Sequence, residues 1–152
     1  MLFPEVKNKK PKPAYRKPEA VKELEQLAND EARQLHPTNP HLAPRTFRDD
    51  SANGLTACIV KYITLLGGFA SRINNGGNYN TKLRRFIPGT SRRGLADIMA
   101  TYRGKSLHIE VKAGKDRQSE AQRKIEAEVI RSGGFYYLAR DFESFRNWFD
   151  TM

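Results

Sequence analysis

The chain has a single cysteine, Cys58, so no internal disulfide can staple the fold, and a reducing compartment suits it. Long apolar runs are missing too. No stretch approaches the roughly 20 residues that a membrane-spanning helix needs, and the opening MLFPEVKNKK lacks the apolar centre of an export signal. A cytoplasmic protein without a membrane partner is the expectation. Acids are the third shortage: 17 Asp and Glu stand against 27 Lys and Arg, a formal charge of +10. Two segments concentrate the imbalance. Residues 1–17 carry Lys7, Lys9, Lys10, Lys12, Arg16 and Lys17 against Glu5 alone, while residues 76–93 carry Lys82, Arg84, Arg85, Arg92 and Arg93 with no acid. Such an excess favours a polyanion partner over an anionic membrane, although many basic proteins are simply soluble and basic.

At 152 residues the chain can bury one core with a tail to spare. Prolines among the lysines of residues 1–17 predict a flexible basic arm. From Pro18 to about Leu35, Val21, Leu24, Ala28, Ala32 and Leu35 recur at helical spacing. That segment and the turn-rich 36–49 form an accessory helix and loop. A folded domain is expected over 50–152. It begins with Asp50 or Ser51 capping LTACIVKYITLL, a helix apolar almost all round that stops at Gly67-Gly68. GFASRINN predicts a short strand, and residues 76–93 a Gly- and Arg-rich loop.

Two further strands, LADIMATYR and SLHIEVK, flank Gly104-Lys105, and a two-residue turn that starts with Gly suits a hairpin. That turn pairs Tyr102 with Leu107, Ala100 with Ile109 and Ile98 with Val111 on an apolar face. Thr101 then meets His108, Met99 meets Glu110, and Asp97 meets Lys112 on the other face. Two carboxylates and an ammonium therefore converge at the hairpin's end. Ser119 caps a helix to about Ser132, FYYLA is an apolar strand, and FESFRNWF is a last helix with Phe142, Phe145 and Phe149 on one side. The order from residue 51 is α-β-β-β-α-β-α.

Two converging carboxylates suit a hard divalent cation, for which Mg²⁺ typically takes one or two protein carboxylates and leaves other positions to water and phosphate. Lys112 beside them would orient a nucleophile or offset charge in a phosphoryl transition state. A surface salt-bridge cluster worth about 0–1 kcal/mol would use the same residue types.

The ordered set Gly94-Leu-Ala-Asp97, Glu110-Val-Lys112 and Ser119-x-x-Gln122 resembles the PD-(D/E)XK nuclease superfamily, and within it the virus-type replication-repair nuclease (VRR-NUC) branch. Arg72-Ile-Asn-Asn-Gly76 and Gly133-Gly134-Phe-Tyr-Tyr-Leu-Ala-Arg140 are similar to that branch as well, so the likeness covers about residues 50–145. It implies an α/β fold with a restriction-endonuclease-like α-β-β-β-α-β core, its mixed central sheet flanked by helices. It further implies a Mg²⁺- or Mn²⁺-dependent DNA endonuclease, selective for branched DNA such as Holliday junctions or flaps, in phage or bacterial replication, repair and recombination. A homodimer is the assembly it suggests.

Asp97, Glu110 and the Val111 carbonyl would hold the metal, with Lys112 as catalytic lysine and Gln122 beside it. The sequence departs from the family at Ala96, where a proline is frequent, and at Asn53, near a position often held by a metal-reaching Glu. Asn53 could supply a side-chain oxygen or hold a metal-bound water in its place, but it adds no charge. That loss leaves open a catalytically weak or inactive DNA-binding accessory protein; a basic structural or assembly protein is the third reading.

Gln122 is read two ways, since Ser119-x-x-Gln122 is also a capping box. Arg72, Asn74, Lys82, Arg84, Arg85, Arg92, Arg93 and Lys115 are the candidates for contacting DNA, and Gln118 is read as loop structure. His108, nearer the turn, is expected to be solvated; His36 and His41 have no evident partner. Cys58 belongs in the core, as does the stripe from Tyr136 to Phe149 unless it forms a dimer interface.

Overall fold

The computed structural model describes residues 13–74, 76, 78–87, 89 and 92–152. Most of the basic arm, including Lys7, Lys9, Lys10 and Lys12, lies outside the described residues. Residues 13–17 belong to no helix or strand but are tied down. The Tyr15 hydroxyl donates to Asp49 at 2.8 Å, and the Arg48 guanidinium lies 4.4 Å over the Tyr15 ring.

Among the described residues four helices and six strands follow. Helix α1 spans Glu19–Leu35, with Ala20, Val21, Leu24, Ala28 and Ala32 as its buried stripe. Helix α2 spans Ala52–Leu65; the Ser51 side chain caps it by accepting from Gly54 N–H, and Asp50 does not serve. Strands β1 (Phe69–Arg72), β4 (Ile98–Tyr102), β5 (Lys105–Val111) and β6 (Phe135–Ala139) make one sheet in the order β1-β4-β5-β6. The first two pairings are antiparallel and β5 runs parallel to β6. Helix α3 (Glu120–Arg131) is the crossover between those parallel strands, and α4 (Phe142–Phe149) closes the chain. The chain is thus an α/β protein with a mixed four-stranded sheet flanked by helices. Among the described residues no helix is long and apolar enough to cross a membrane.

The stretch expected to be an open loop holds a small antiparallel hairpin, β2 (Asn78–Asn80) and β3 (Arg85–Ile87), linked by residues 81–84. Asn80 Oδ1 accepts from Leu83 N–H at 3.0 Å and Arg84 takes a left-handed φ of 47°, which together close the turn.

The β4–β5 turn is also corrected. Its two central residues are Arg103 and Gly104, both left-handed at φ 48° and 76°. A turn of that kind follows the twist of the strands it joins. Tyr102 therefore faces Lys105, Ala100 faces Leu107 and Ile98 faces Ile109. The pairing differs by two residues from the one expected. Because side chains alternate with period two, a two-residue shift leaves every side chain on its face. Ile98, Ala100, Leu107, Ile109 and Val111 still enter the core, and Asp97 now lies across from Glu110 rather than Lys112.

The core packs that apolar sheet face under α1, α2 and α4. Val21 and Leu24 meet Leu55, Ile59 and Ile63, and Phe142, Phe145 and Phe149 complete it. Tyr62 touches Phe142 and Phe149 edge-on, at centroid distances of 5.5 and 5.9 Å, and its hydroxyl donates to Asp150. Each fully buried Phe contributes about 1.5–3 kcal/mol of hydrophobic stabilisation. Helix α1 shares this core with α2 and α4. Helix α3 lies over the opposite face through Ile125 and Val129, which makes that face the place for a polar site.

Candidate active site

The polar face takes its shape from the end of the β4–β5 hairpin. Asp97 sits at a bend immediately before β4, half-buried. Its carboxylate Oδ2 accepts from Val111 N–H at 2.8 Å, and its carbonyl accepts from Ile73 N–H at 2.7 Å. The side chain thus takes over the hydrogen-bond ladder where the β4 backbone ends, which fixes the carboxylate against β5.

Glu110, the next-to-last residue of β5, is 1% exposed. Its Oε1 accepts from Lys112 Nζ at 2.9 Å and from Gln122 Nε2 at 2.5 Å. Its Oε2 is buried with no partner. Burial pushes the Glu110 carboxyl above its ordinary range; the Lys112 ammonium opposes this and the charge of Asp97 adds to it. A buried carboxylate with one satisfied and one orphaned oxygen is costly to keep charged.

Lys112 follows β5, and its N–H donates to Ala139 O at 2.9 Å, which carries the parallel ladder one step beyond the strand. Gln122 stands at the third position of α3. Its Oε1 accepts from Ser119 N–H at 2.8 Å, while Ser119 Oγ accepts from Gln122 N–H at 3.2 Å. The capping box and the contact with Glu110 are both present, made by opposite ends of one amide.

Gly94 explains how the Asp97 segment comes this close to α3. It has φ +88°, and a Cβ there would lie 2.6 Å from the backbone C and O of Ala121. Only glycine tolerates both the conformation and the contact.

The other candidate residues are more dispersed. Arg72 faces Ile98 across β1–β4, so register puts it on the apolar face rather than with Asp97. Asn74 is exposed beyond that strand, and Asn75 of the same stretch lies outside the described residues. Lys82, Arg84 and Arg85 belong to the small hairpin and are exposed. Arg92 pairs with Glu128 of α3 at 2.6 Å. Arg93 borders a shallow groove with Ser119, Glu120 and Lys124 at the start of α3. Lys115 is exposed in the loop after Lys112, where Arg140 Nη1 donates to Gly114 O at 3.2 Å. Gln118 donates to Glu126 at 2.8 Å, as a loop-fixing residue would. Asn53 is exposed in the first turn of α2, a helix packed on the far, apolar side of the sheet, and no hydrogen bond joins it to Asp97 or Glu110 among the described residues.

Two neighbours depart from their expected places: His108 is not solvated but half-buried, and Tyr136 does not join the apolar core but lies on the polar face of the sheet. His108 and Tyr136 are register partners on the face of Glu110; His108 Nδ1 is buried without a partner, and the buried Tyr136 hydroxyl lies near the Gln118 side chain without a well-formed hydrogen bond to it. Burial lowers the His108 pKa, and it pushes Tyr136 up to about 12, with the Gln118 side chain pulling the other way. His108 is half-buried at a cleft of about 380 Å³ bounded by Arg92, Leu95, Ile125 and Arg131. The alternation of β5 did place His108 with Glu110; its cover came from α3 across the crossover, which spacing alone does not show.

The residues present fit a hard divalent cation. Glu110 Oε2 is an orphaned acceptor, the Asp97 carboxylate lies across the strand pair from it, and Val111 ends its strand between Glu110 and Lys112. No set of three His, Cys, Asp or Glu side chains converges among the described residues, so water and substrate oxygen would complete such a site. No family model, curated protein or solved structure matches the chain.

Proposed function

We propose that the chain is a divalent-metal-dependent DNA endonuclease with a PD-(D/E)XK core of the VRR-NUC kind. The observation that carries this reading is Glu110: a buried carboxylate with an orphaned oxygen, held by Lys112 and Gln122 beside Asp97. Asp97, Glu110 and the Val111 carbonyl hold Mg²⁺ or Mn²⁺. The ion, when bound, supplies charge at the scissile phosphate and an acidified water. Lys112, already hydrogen-bonded to Glu110, positions the attacking oxygen and offsets developing negative charge. Gln122 keeps the Glu110 carboxylate oriented. Lys82, Arg84, Arg85, Arg93 and Lys115, together with Arg72, Asn74 and Arg92, supply phosphate contacts. Branched DNA is the substrate class, a homodimer the working unit, and the cytoplasm of a bacterial or phage-infected cell the setting. The buried, unpaired Cys58 is consistent with that setting.

A second reading is favoured by Asn53, exposed and neutral where the family often has a metal-reaching Glu. It makes the chain a DNA-binding accessory protein with little or no turnover. One assay separates the two. Labelled four-way junction, 5′ flap and linear duplex are each incubated with EDTA, Mg²⁺ or Mn²⁺, with Lys112→Ala in parallel. Metal-dependent cutting that disappears in the variant is the expected result. Binding without cutting, equal in both proteins, would overturn the nuclease.

A further inference from the structure

The β2–β3 hairpin exposes what a folded chain normally hides. Tyr79 and Phe86 face one another directly across its strands, yet each is about three-fifths exposed, at 61% and 60%. Leu83 at the turn is 56% exposed. Large aromatic rings contribute to stability mainly by leaving water, and a lone two-stranded hairpin is marginal without something to pack on. Interleaved with these apolar groups are Lys82, Arg84 and Arg85, and no acid lies between residues 76 and 93.

Charge decides among the possible occupants. A symmetric contact with a second copy would set these cations against themselves, and the rest of that copy also has an excess of positive charge, at +10 overall. The fitting partner is a polyanion with flat apolar faces. Nucleic acid has both, but a duplex keeps its base faces stacked inside. Only unpaired or terminal bases present a face to a protein ring, and such stacking is tolerant of sequence.

We infer that the hairpin is a stacking arm for unpaired bases: Tyr79 and Phe86 receive the bases, and Lys82, Arg84 and Arg85 hold the flanking phosphates. This rests on the reading of the chain as a DNA-acting protein but does not need it to cut. It also gives a physical basis for preferring junctions, flaps and ends, where bases are open, over continuous duplex.

The test is fluorescence anisotropy of the full chain in EDTA, with a labelled single-stranded oligonucleotide and a blunt duplex of the same sequence. Replacing the rings together (Tyr79→Ala with Phe86→Ala) should weaken single-strand binding about tenfold or more, and change duplex binding by less than about twofold. Arg84→Ala with Arg85→Ala should weaken both and flatten the salt dependence. All four positions are exposed, and an unchanged thermal midpoint would exclude misfolding. Equal loss on both DNAs, or no loss, would overturn the arm. So would ring-dependent binding to phosphatidylserine vesicles without ring-dependent binding to the single strand. Because EDTA prevents metal-dependent cutting, the two readings fail separately: ring-dependent binding in a chain that never cuts removes only the nuclease, and ring-independent binding in a chain that cuts removes only the arm.

Discussion

Gln122 joins a helix cap to a candidate active site through one planar amide. Its oxygen closes the capping box on Ser119 and its nitrogen reaches Glu110, so the geometry of α3 and the orientation of the carboxylate are set together. Replacing it tests both duties. Gln122→Ala removes the cap and the Glu110 donor, and unfolding measurements should show a loss of about 1–3 kcal/mol. Gln122→Glu preserves a capping-box residue but places a second carboxylate against Glu110. The metal-free Glu variant should therefore melt below wild type, and Mg²⁺ should raise its midpoint more than it raises that of wild type, because a dication relieves the repulsion. A thermal midpoint indifferent to Mg²⁺ in both proteins would contradict the cation site.

Among the elements, α1 shows how a single half-buried acid can organise a segment that spacing marks as separate. Glu25 accepts from Lys17, at the end of the basic arm, and from Phe47 N–H at 2.7 Å in the loop before α2. Burial pushes its carboxyl up, but these two hydrogen bonds outweigh it, and the group sits below its ordinary range. A depressed carboxyl stabilises the fold fully above its unfolded pKa near 4.5 and loses that contribution as pH falls through the lower folded value. Glu25→Gln should cost about 1–3 kcal/mol at neutral pH. Urea unfolding at pH 7 and at about pH 3 should show the difference from wild type shrinking in acid. A constant difference across that range would mean that the carboxylate's charge plays no part.

Across the whole molecule the charge of +10 predicts how the proposed DNA binding should respond to salt. A footprint of about five phosphates gives a slope near −4.5 for the logarithm of the duplex binding constant against that of salt concentration. Filter binding or anisotropy between low and physiological salt would measure it. A slope near zero would leave the basic surface without a nucleic-acid role.

Much of the fold was legible because its signals are local. Helices α1, α2, α3 and α4 follow from apolar spacing, with Ser119 and one of Asp50 or Ser51 as expected caps, and the period-two pattern of Ile98, Ala100, Leu107, Ile109 and Val111 identifies the buried face of β4 and β5; the Asp141 cap of α4 came only with the structure. That parity is why Asp97, Glu110 and Lys112 share a face even though the expected pairing was two residues out. The turn itself was misread because Gly104 can take either central position, and only the left-handed backbone of Arg103 as well decides between them. The β2–β3 hairpin escaped notice because its link, Thr81-Lys82-Leu83-Arg84, has no glycine and its strands are three residues each.

By itself the sequence determined which residues line each face of the sheet and which side chains could do chemistry there, since periodicity and residue type are written along one dimension. Only tertiary structure decided that α3 closes over Glu110, that Gln122 reaches it while also capping its own helix, and that one carboxylate oxygen is buried without a partner. Each of these depends on a contact between segments far apart in the chain, and burial is a property of that assembly rather than of any residue alone.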